Sequence, residues 1–310
     1  MPGRETFQDE LVTIRDWLRY AVSRFNAAGL VYGHGTANAL DEAAYLVLHT
    51  LHLPIDQLDP WLEARLLASE RDAVREMIET RITTRKPAPY LTHEAWIRGH
   101  SFYVDERVIV PRSYIGELLC RQMESAGNEW QLGFDPGPVA AALDLCTGSG
   151  CLAILAALMF PDAAVDASDI SEGALAVAER NVRDYGLQER ITLVQSDLFA
   201  AHAGRRYDLI LANPPYVGAE ALAAFPPEYA AEPPIAHAGG ADGLDLVRRI
   251  LAEAADHLSP TGALVVEIGQ GRNVLEQQFP HLPFLWLETA ESDGEVFALE
   301  AAALHNNERG

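Results

Sequence analysis

Apolar residues recur at every third or fourth position through the first third of the chain. Leu11, Ile14, Leu18, Val22 and Phe25 mark one face of a helix over 8–28. An Ala- and Leu-rich stretch over 38–51 forms a second helix, with Pro54 just beyond its end. Leu62, Leu66, Leu67, Val74, Ile78 and Ile82 mark a third over 60–84. These spacings predict a small helical bundle, which Lys86-Pro87-Ala88-Pro89 interrupts. Over 95–110 the pattern changes to β-formers: Trp96, Ile97, Phe102, Tyr103, Val104, Val108, Ile109 and Val110. Gly99 and Asp105-Glu106 supply turns, so a hairpin or strand pair is expected here, ended by Pro111. A helix over 113–126 follows.

From 139 onward strands and helices alternate. Strands are expected over 140–145, 163–168, 191–195, 207–212, 262–268, 284–288 and 295–300, and helices over 150–159, 171–185, 243–257 and 271–278. That rhythm predicts an α/β fold, a parallel, doubly wound sheet with helices on both faces. The expected organisation is a helical domain over 1–94, a β-hairpin linker over 95–115 and an α/β domain over 116–303.

Charge narrows the partners. Residues 1–115 carry 13 Arg/Lys and 16 Asp/Glu, a net −3; residues 116–310 carry 10 and 29, a net −19. Nucleic-acid binding rests on basic side chains facing phosphates, so this balance disfavours an exposed duplex-binding surface and suits a basic partner. The three cysteines, Cys120, Cys146 and Cys151, lack metal-ligand spacing and imply a reducing compartment and no metal. The polar start MPGRETFQDE is unlike a signal peptide, and the longest apolar run, CLAILAALMF, is too short to span a bilayer. A cytoplasmic protein without membrane contact is expected.

Candidate chemistry gathers at strand ends. The first strand of the α/β domain runs into Asp144-Leu145-Cys146-Thr147-Gly148-Ser149-Gly150, and a helix starts at Cys151. Small residues let this loop turn tightly and approach a ligand at the carboxyl edge of the sheet. The second strand ends near Asp169, whose carboxylate can accept bonds from both hydroxyls of a ribose. The third ends in Ser196-Asp197-Leu198-Phe199, where an acid can accept from an adenine amino group. The spacing is not the dinucleotide fingerprint G-x-G-x-x-G. It resembles the first motif of class I methyltransferases, acid-x-Gly-x-Gly-x-Gly, with Cys146 in place of the first glycine.

The fourth strand ends in Asn213-Pro214-Pro215-Tyr216. An amide or exocyclic amine nitrogen is a poor nucleophile, because its lone pair is delocalised. Two acceptors aimed at its N–H bonds orient it and favour the charge that develops as it attacks a methylsulfonium. The Asn213 side-chain carbonyl and the Pro214 main-chain carbonyl can be those acceptors, held in place by the prolines. Tyr216 can pack on the planar target. A glutamine amide and an adenine amino group both satisfy this chemistry. The lack of any Lys and the presence of only ten Arg in 116–310 lean toward a protein target.

On these residues the chain resembles the HemK-type protein-glutamine methyltransferases, and within them the branch acting on large-subunit ribosomal protein L-three. HEAWIRGHSFYVDERVIVPRS, LDLCTGSGC, SDLF, DLILANPPYV and EYAAEPPIAHAGGADGLDLVRRIL carry the resemblance over nearly the full length. It implies S-adenosyl-L-methionine as cofactor and methylation of a glutamine side-chain N(5). It implies that Asp144, Cys146, Thr147, Gly148 and Gly150 form the loop at the cofactor's methionine side. Asp169 would hold the ribose, Asp197 and Leu198 the adenine edge, and Asn213 through Tyr216 the glutamine, with Asn213 also beside the cofactor. The helical domain would recognise the protein substrate. Two readings stay open for 228–243, a surface loop or a lid, and for Arg112, a hinge or cofactor-proximal residue or a plain surface arginine. His93 and His100 are read as structural. The release-factor branch, a nucleic-acid adenine methyltransferase and a non-catalytic assembly factor are the competing readings.

Overall fold

The computed structural model describes residues 10–125, 132–289 and 292–305. They form two compact units. One comprises the described residues up to 94 together with 226–231, the other the described residues between 95 and 225 and from 232 onward.

The first unit is built on helices α1 (Ile14–Ala27), α2 (Ala39–Thr50) and α3 (Ala68–Thr84), with a short α4 (Ala88–Thr92) after them. α1 starts where Thr13 and Asp16 cap each other: Thr13 Oγ1 accepts from the Asp16 N–H, and Asp16 accepts from the Thr13 N–H. Its buried face holds Ile14, Leu18 and Phe25 as expected, with Trp17 and Ala21 between them. The third helix is shorter than its apolar spacing predicts. Leu66 donates its N–H to Val12 O, and Thr13 bridges Arg65, so 65–66 is extended chain rather than helix. Pro87 precedes α4 as its N-cap, so the proline-rich break starts a new helical turn. Within this unit lies a charge cluster in which Glu42, Arg81 and Glu228 are buried and Arg85 is half-buried. Arg81 Nε donates to Glu42 Oε1 at 2.7 Å, and Arg85 Nη1 donates to Glu228 Oε1 at 3.0 Å. Glu228 also accepts the Val31 N–H at 3.1 Å and is fully buried.

The second unit opens with the hairpin β1 (Glu94–Ile97) and β2 (His100–Tyr103), turning at Arg98 and Gly99, both at positive φ. Residues 104–113 form no further strand, although Val104, Val108 and Val110 are buried. The Asp105 carboxylate folds this stretch back by accepting from Tyr103, from the Arg107 N–H and from the Arg107 guanidinium. α5 (Tyr114–Glu124) follows, capped by Ser113.

The main sheet holds β3 (Ala141–Leu145), β4 (Ala164–Asp169), β5 (Ile191–Gln195), β6 (Tyr207–Ala212), β7 (Leu258–Glu267), β8 (Leu285–Glu288) and β9 (Asp293–Glu300) in the order β5-β4-β3-β6-β7-β9-β8. Between them run α6 (Cys151–Met159), α7 (Glu172–Asp184), a short α8 (Ala219–Ala223), α9 (Asp245–His257) and α10 (Arg272–Gln278), with α11 (Ala301–His305) after the last strand. Alternate residues of each central strand face opposite layers. Leu209 and Leu211 join one core with Leu155 of α6, and Ile210 and Ala212 join the other with Ile250 of α9. Five strands are parallel; β9 runs antiparallel to both β7 and β8. The expected parallel sheet therefore ends in an antiparallel edge. Alternation of apolar residues carries no strand direction, and the short link between β8 and β9 allows only a hairpin.

Candidate active site

Chain order reverses between β3 and β6, from which β4 and β5 extend one way and β7 the other. In a doubly wound sheet, ligands bind outside the carboxyl ends of the strands at such a switch point. Leu145 and Ala212 are register partners, so the loops beginning at Cys146 and Asn213 start side by side. A cavity of about 490 Å³ opens there.

Cys146, Gly148, Asp169, Asp197, Leu198, Asn213 and Pro215 line this cavity. The structure thus brings together most of the residues singled out from sequence. Asp144, Thr147, Gly150, Pro214 and Tyr216 stand outside the lining and shape it from behind. Asp144 is buried; its Oδ2 accepts from the Thr147 hydroxyl at 2.5 Å and from the Ala153 N–H at 3.0 Å, tying the loop to α6. Its Oδ1 is buried without a hydrogen-bond partner, and burial pushes the carboxyl up to about 7. Thr147 N–H donates to Ser168 O at 2.9 Å, and Gly150, at φ +81°, packs against Ala178 of α7. Cys146 occupies the left-handed region at φ +58°, a conformation that favours glycine. Its thiol is held up by burial, then by the nearby Asp169 and Asp144.

Asp169 accepts the Gly148 N–H through Oδ2 and the Ser171 N–H through Oδ1, both at 2.9 Å. Burial raises its pKa, and these bonds oppose the rise. Asp197 lies 3.0 Å from Arg249 of α9, which also lines the cavity. A carboxylate has about four acceptor positions, so a ligand amine can share Asp197 with Arg249. Asn181 of α7 steadies the loop, donating to Ser149 O at 2.8 Å and to Tyr103 O at 3.0 Å.

The Tyr216 hydroxyl donates to Glu267 Oε1 at 3.1 Å. Burial, and next the Glu267 charge, push that hydroxyl well above its ordinary value. Its main chain is seated on a second segment. Val217 N–H donates to His237 O at 2.9 Å, and Gly239 N–H donates to Val217 O at 3.0 Å. A Cβ at Gly239 would stand 2.8 Å from Pro215 O, so only glycine admits this approach. The stretch 233–240 is therefore a wall of the cavity, with Pro233, Ile235, Ala236, Ala238, Gly239 and Gly240 lining it. Arg112 is bound to this wall through Glu232 rather than lying as a plain surface residue. His100 stacks at a tilt on Tyr185, and His93 is the left-handed C-cap of α4.

Val108 and Ile109 also line the cavity. Sequence reasoning missed Glu267, Asn181, Arg249 and this Val108-Ile109 wall, and it read Glu232 only as part of the 228–243 segment, without its partners. Glu267 did leave a signal: an acid closing an apolar strand, as Asp144 does in β3. The partners of Glu232 lie more than a hundred residues away for Arg112, beyond any local pattern. Among the described residues, no group of His, Cys, Asp or Glu could hold a metal ion, and no helix is long and apolar enough to cross a membrane.

Residues 134–224 match the family described as methyltransferase small domain. The ribosomal protein uL3 glutamine methyltransferase of Bradyrhizobium diazoefficiens is 56% identical over 295 residues, covering 95% of this chain and 92% of that one. Its counterpart in Bordetella pertussis is 57% identical over 298 residues, covering 96% and 98%. The chain belongs to the ribosomal protein uL3 glutamine methyltransferase family. A solved methyltransferase from Pyrococcus furiosus has 16% identity and a TM-score of 0.45, covering 66% of this chain and 90% of its own.

As a member of the uL3 glutamine methyltransferase family, the protein is an S-adenosylmethionine-dependent enzyme. The residues present fit that group. The cofactor carries net positive charge, and the cavity is lined by Asp169 and Asp197. Behind the loop, the buried Asp144 Oδ1 is an acceptor without a donor, costly to keep unless a ligand or water supplies one.

Proposed function

We propose that the protein transfers a methyl group from S-adenosylmethionine to the side-chain N(5) amide nitrogen of a glutamine in ribosomal protein uL3. The observation that carries this reading is the convergence of Asn213 and Pro215 on the same cavity as Gly148, Asp169 and Asp197. Asp169 and Asp197 hold the ribose and the adenine edge, Leu198 packs beside the ring, and the 144–150 loop holds the methionine end. The bound cofactor supplies an electrophilic methyl carbon on a sulfonium.

Asn213 Oδ1 and the Pro214 carbonyl accept the two N–H bonds of the glutamine amide. They orient its nitrogen toward the methyl carbon and favour the positive charge that grows on it. A C–N bond forms as the C–S bond breaks, and one N–H proton leaves to water afterwards, so no strong base is required. The helical domain over 1–94 recognises the substrate protein. The acidic remainder, net −19 over 116–310, attracts a basic ribosomal protein. On this reading the enzyme works in the cytoplasm, where ribosomal proteins are made.

The test is methyl transfer from labelled S-adenosylmethionine to purified uL3, with release factors and nucleic acid in parallel. Label on uL3 that disappears when its target glutamine is replaced supports the reading. Label on a release factor instead would move the protein to the other branch. Label on nucleic acid alone would replace the amide by an adenine amine, and no label on any of them would leave a binding factor.

A further inference from the structure

β7 ends in Glu267, and Ile268 and Gly269 follow it. Glu267 is fully buried, yet it is held by three donors. Oε2 accepts from the Ser113 hydroxyl at 2.8 Å and from the Tyr114 N–H at 2.9 Å, while Oε1 accepts from the Tyr216 hydroxyl at 3.1 Å. Two of these donors sit at the start of α5, where Ser113 Oγ already receives the Gly116 N–H. The third comes from the Asn213–Tyr216 loop.

Taking a carboxylate out of water is unfavourable unless hydrogen bonds compensate, and an apolar residue would fill a strand end without that cost. What only a polar side chain can do here is hold the Tyr216 hydroxyl. The rest of Tyr216 is gripped as tightly. A Cβ at Gly269 would stand 2.8 Å from Tyr216 Cδ2, and one at Gly243 would overlap the Tyr216 carbonyl oxygen. The ring therefore lies on the main chain of 269 and its carbonyl on that of 243. The hydroxyl bond to Glu267 fixes its remaining freedom, rotation and tilt about the side chain.

We infer that Glu267 is a positioning residue for methyl transfer. Through the Tyr216 hydroxyl it fixes the main chain of the tetrapeptide, and so the direction of the Pro214 carbonyl and the Asn213 side chain. Tyr216 is then a pin for the loop in addition to any contact with the amide. The inference rests on the proposed reading of Asn213 and Pro214 as the amide's acceptors.

The experiment compares wild type with Tyr216→Phe, Glu267→Gln and Glu267→Ala. Phenylalanine keeps the ring and deletes the bond. Glutamine can keep its carbonyl on Ser113 and Tyr114 and turn its amide to donate to the tyrosine oxygen. Two readouts are taken: amide hydrogen exchange of the 213–217 peptide in the absence of protein substrate, and steady-state methyl transfer to uL3. Tyr216→Phe is expected to raise exchange in 213–217 with the β3 and β6 peptides unchanged. It is expected to lower kcat about tenfold, as for one hydrogen bond to a charged group, with the KM for cofactor within about twofold. Glu267→Gln should restore most of what Glu267→Ala loses, and should add little to Tyr216→Phe. Unchanged exchange in 213–217 for both Tyr216→Phe and Glu267→Ala would overturn the inference, whatever the substrate proves to be. A loss in KM for cofactor without loss in kcat would also overturn it, assigning the pair to cofactor binding. Absence of methyl transfer to uL3 by the wild type would instead count against the proposed function and leave the exchange result to decide the role of Glu267.

Discussion

Glu232 holds the guanidinium of Arg112 through two bonds, Nη1 to Oε1 at 2.7 Å and Nη2 to Oε2 at 2.8 Å. The same carboxylate accepts the Val110 N–H at 2.9 Å, and His237 Nε2 lies 2.9 Å from it. One buried side chain thus joins the Val108-Ile109 wall of the cavity to the 233–240 wall. Lysine cannot reproduce a planar two-pronged contact. Arg112→Lys is expected to weaken cofactor binding several-fold and to lower Tm by a few degrees, read by calorimetric titration and thermal melting. Unchanged affinity would show that the two walls do not need the fork.

Asn213 faces the cavity at the end of β6. Asn213→Ala should lower kcat on the order of a hundredfold or more, as for loss of one preorganised catalytic bond, with cofactor affinity nearly retained. Turnover close to wild type would remove the side chain from the mechanism.

Asp169 supports the loop through Gly148 and faces the cavity as well. Asp169→Ala is expected to act on the cofactor and not on the protein substrate: a higher Kd for S-adenosylmethionine, with kcat at saturating cofactor much less affected. An unchanged Kd would take Asp169 out of the site.

Asp144 gives a pH signature. Its folded pKa, about 7, lies above its ordinary 3.8, so the native state binds a proton that the unfolded chain has released between those values. This group's contribution to stability is therefore greatest below about pH 4, declines as pH rises toward 7 and then levels. Asp144→Asn should flatten that decline in urea unfolding measured from pH 5 to pH 8. A cationic cofactor draws the carboxyl toward its charged form, so binding near pH 7 should release protons. Titration in two buffers of different ionisation heat checks this. Identical heats, or parallel stability curves for the two proteins, would contradict the assignment.

Cys146 stands where the backbone asks for glycine. Cys146→Gly relieves the left-handed strain but frees the unfolded chain, so stability should change by less than about 1 kcal/mol and activity should persist. A β-branched residue meets the strain at full cost, and Cys146→Val should lose roughly 2 kcal/mol or more in denaturant unfolding. Equal stability of the three would mean the loop relaxes freely.

Much of the α/β unit was legible because its signals are local. β5 and β6 occupy 191–195 and 207–212 as their apolar runs predict, and the carboxyl-end residues Cys146, Asp169, Asp197 and Asn213 meet in one cavity. What stayed hidden depends on distant partners. Leu62 and Leu66 match a helical period, yet Leu66 bonds to Val12 instead. Val108 and Ile109 have strand composition, but the Asp105 turn spends their extended backbone on lining the cavity. The tetrapeptide alone suggested Tyr216 as packing on the target; its tie to Glu267 needed the end of β7.

The helical unit does not end at residue 94. Its half-buried Arg85 and the Val31 N–H both donate to Glu228, which the chain delivers more than a hundred residues later before returning at Glu232 to the α/β unit. Such a unit cannot be inherited as a cassette. A recombination joint placed after residue 94 would separate it from its own buried carboxylate and leave Arg85 with one acceptor fewer. If this unit recognises the substrate protein, as proposed, a change of specificity would have to alter the helices and the distant hexapeptide 226–231 together.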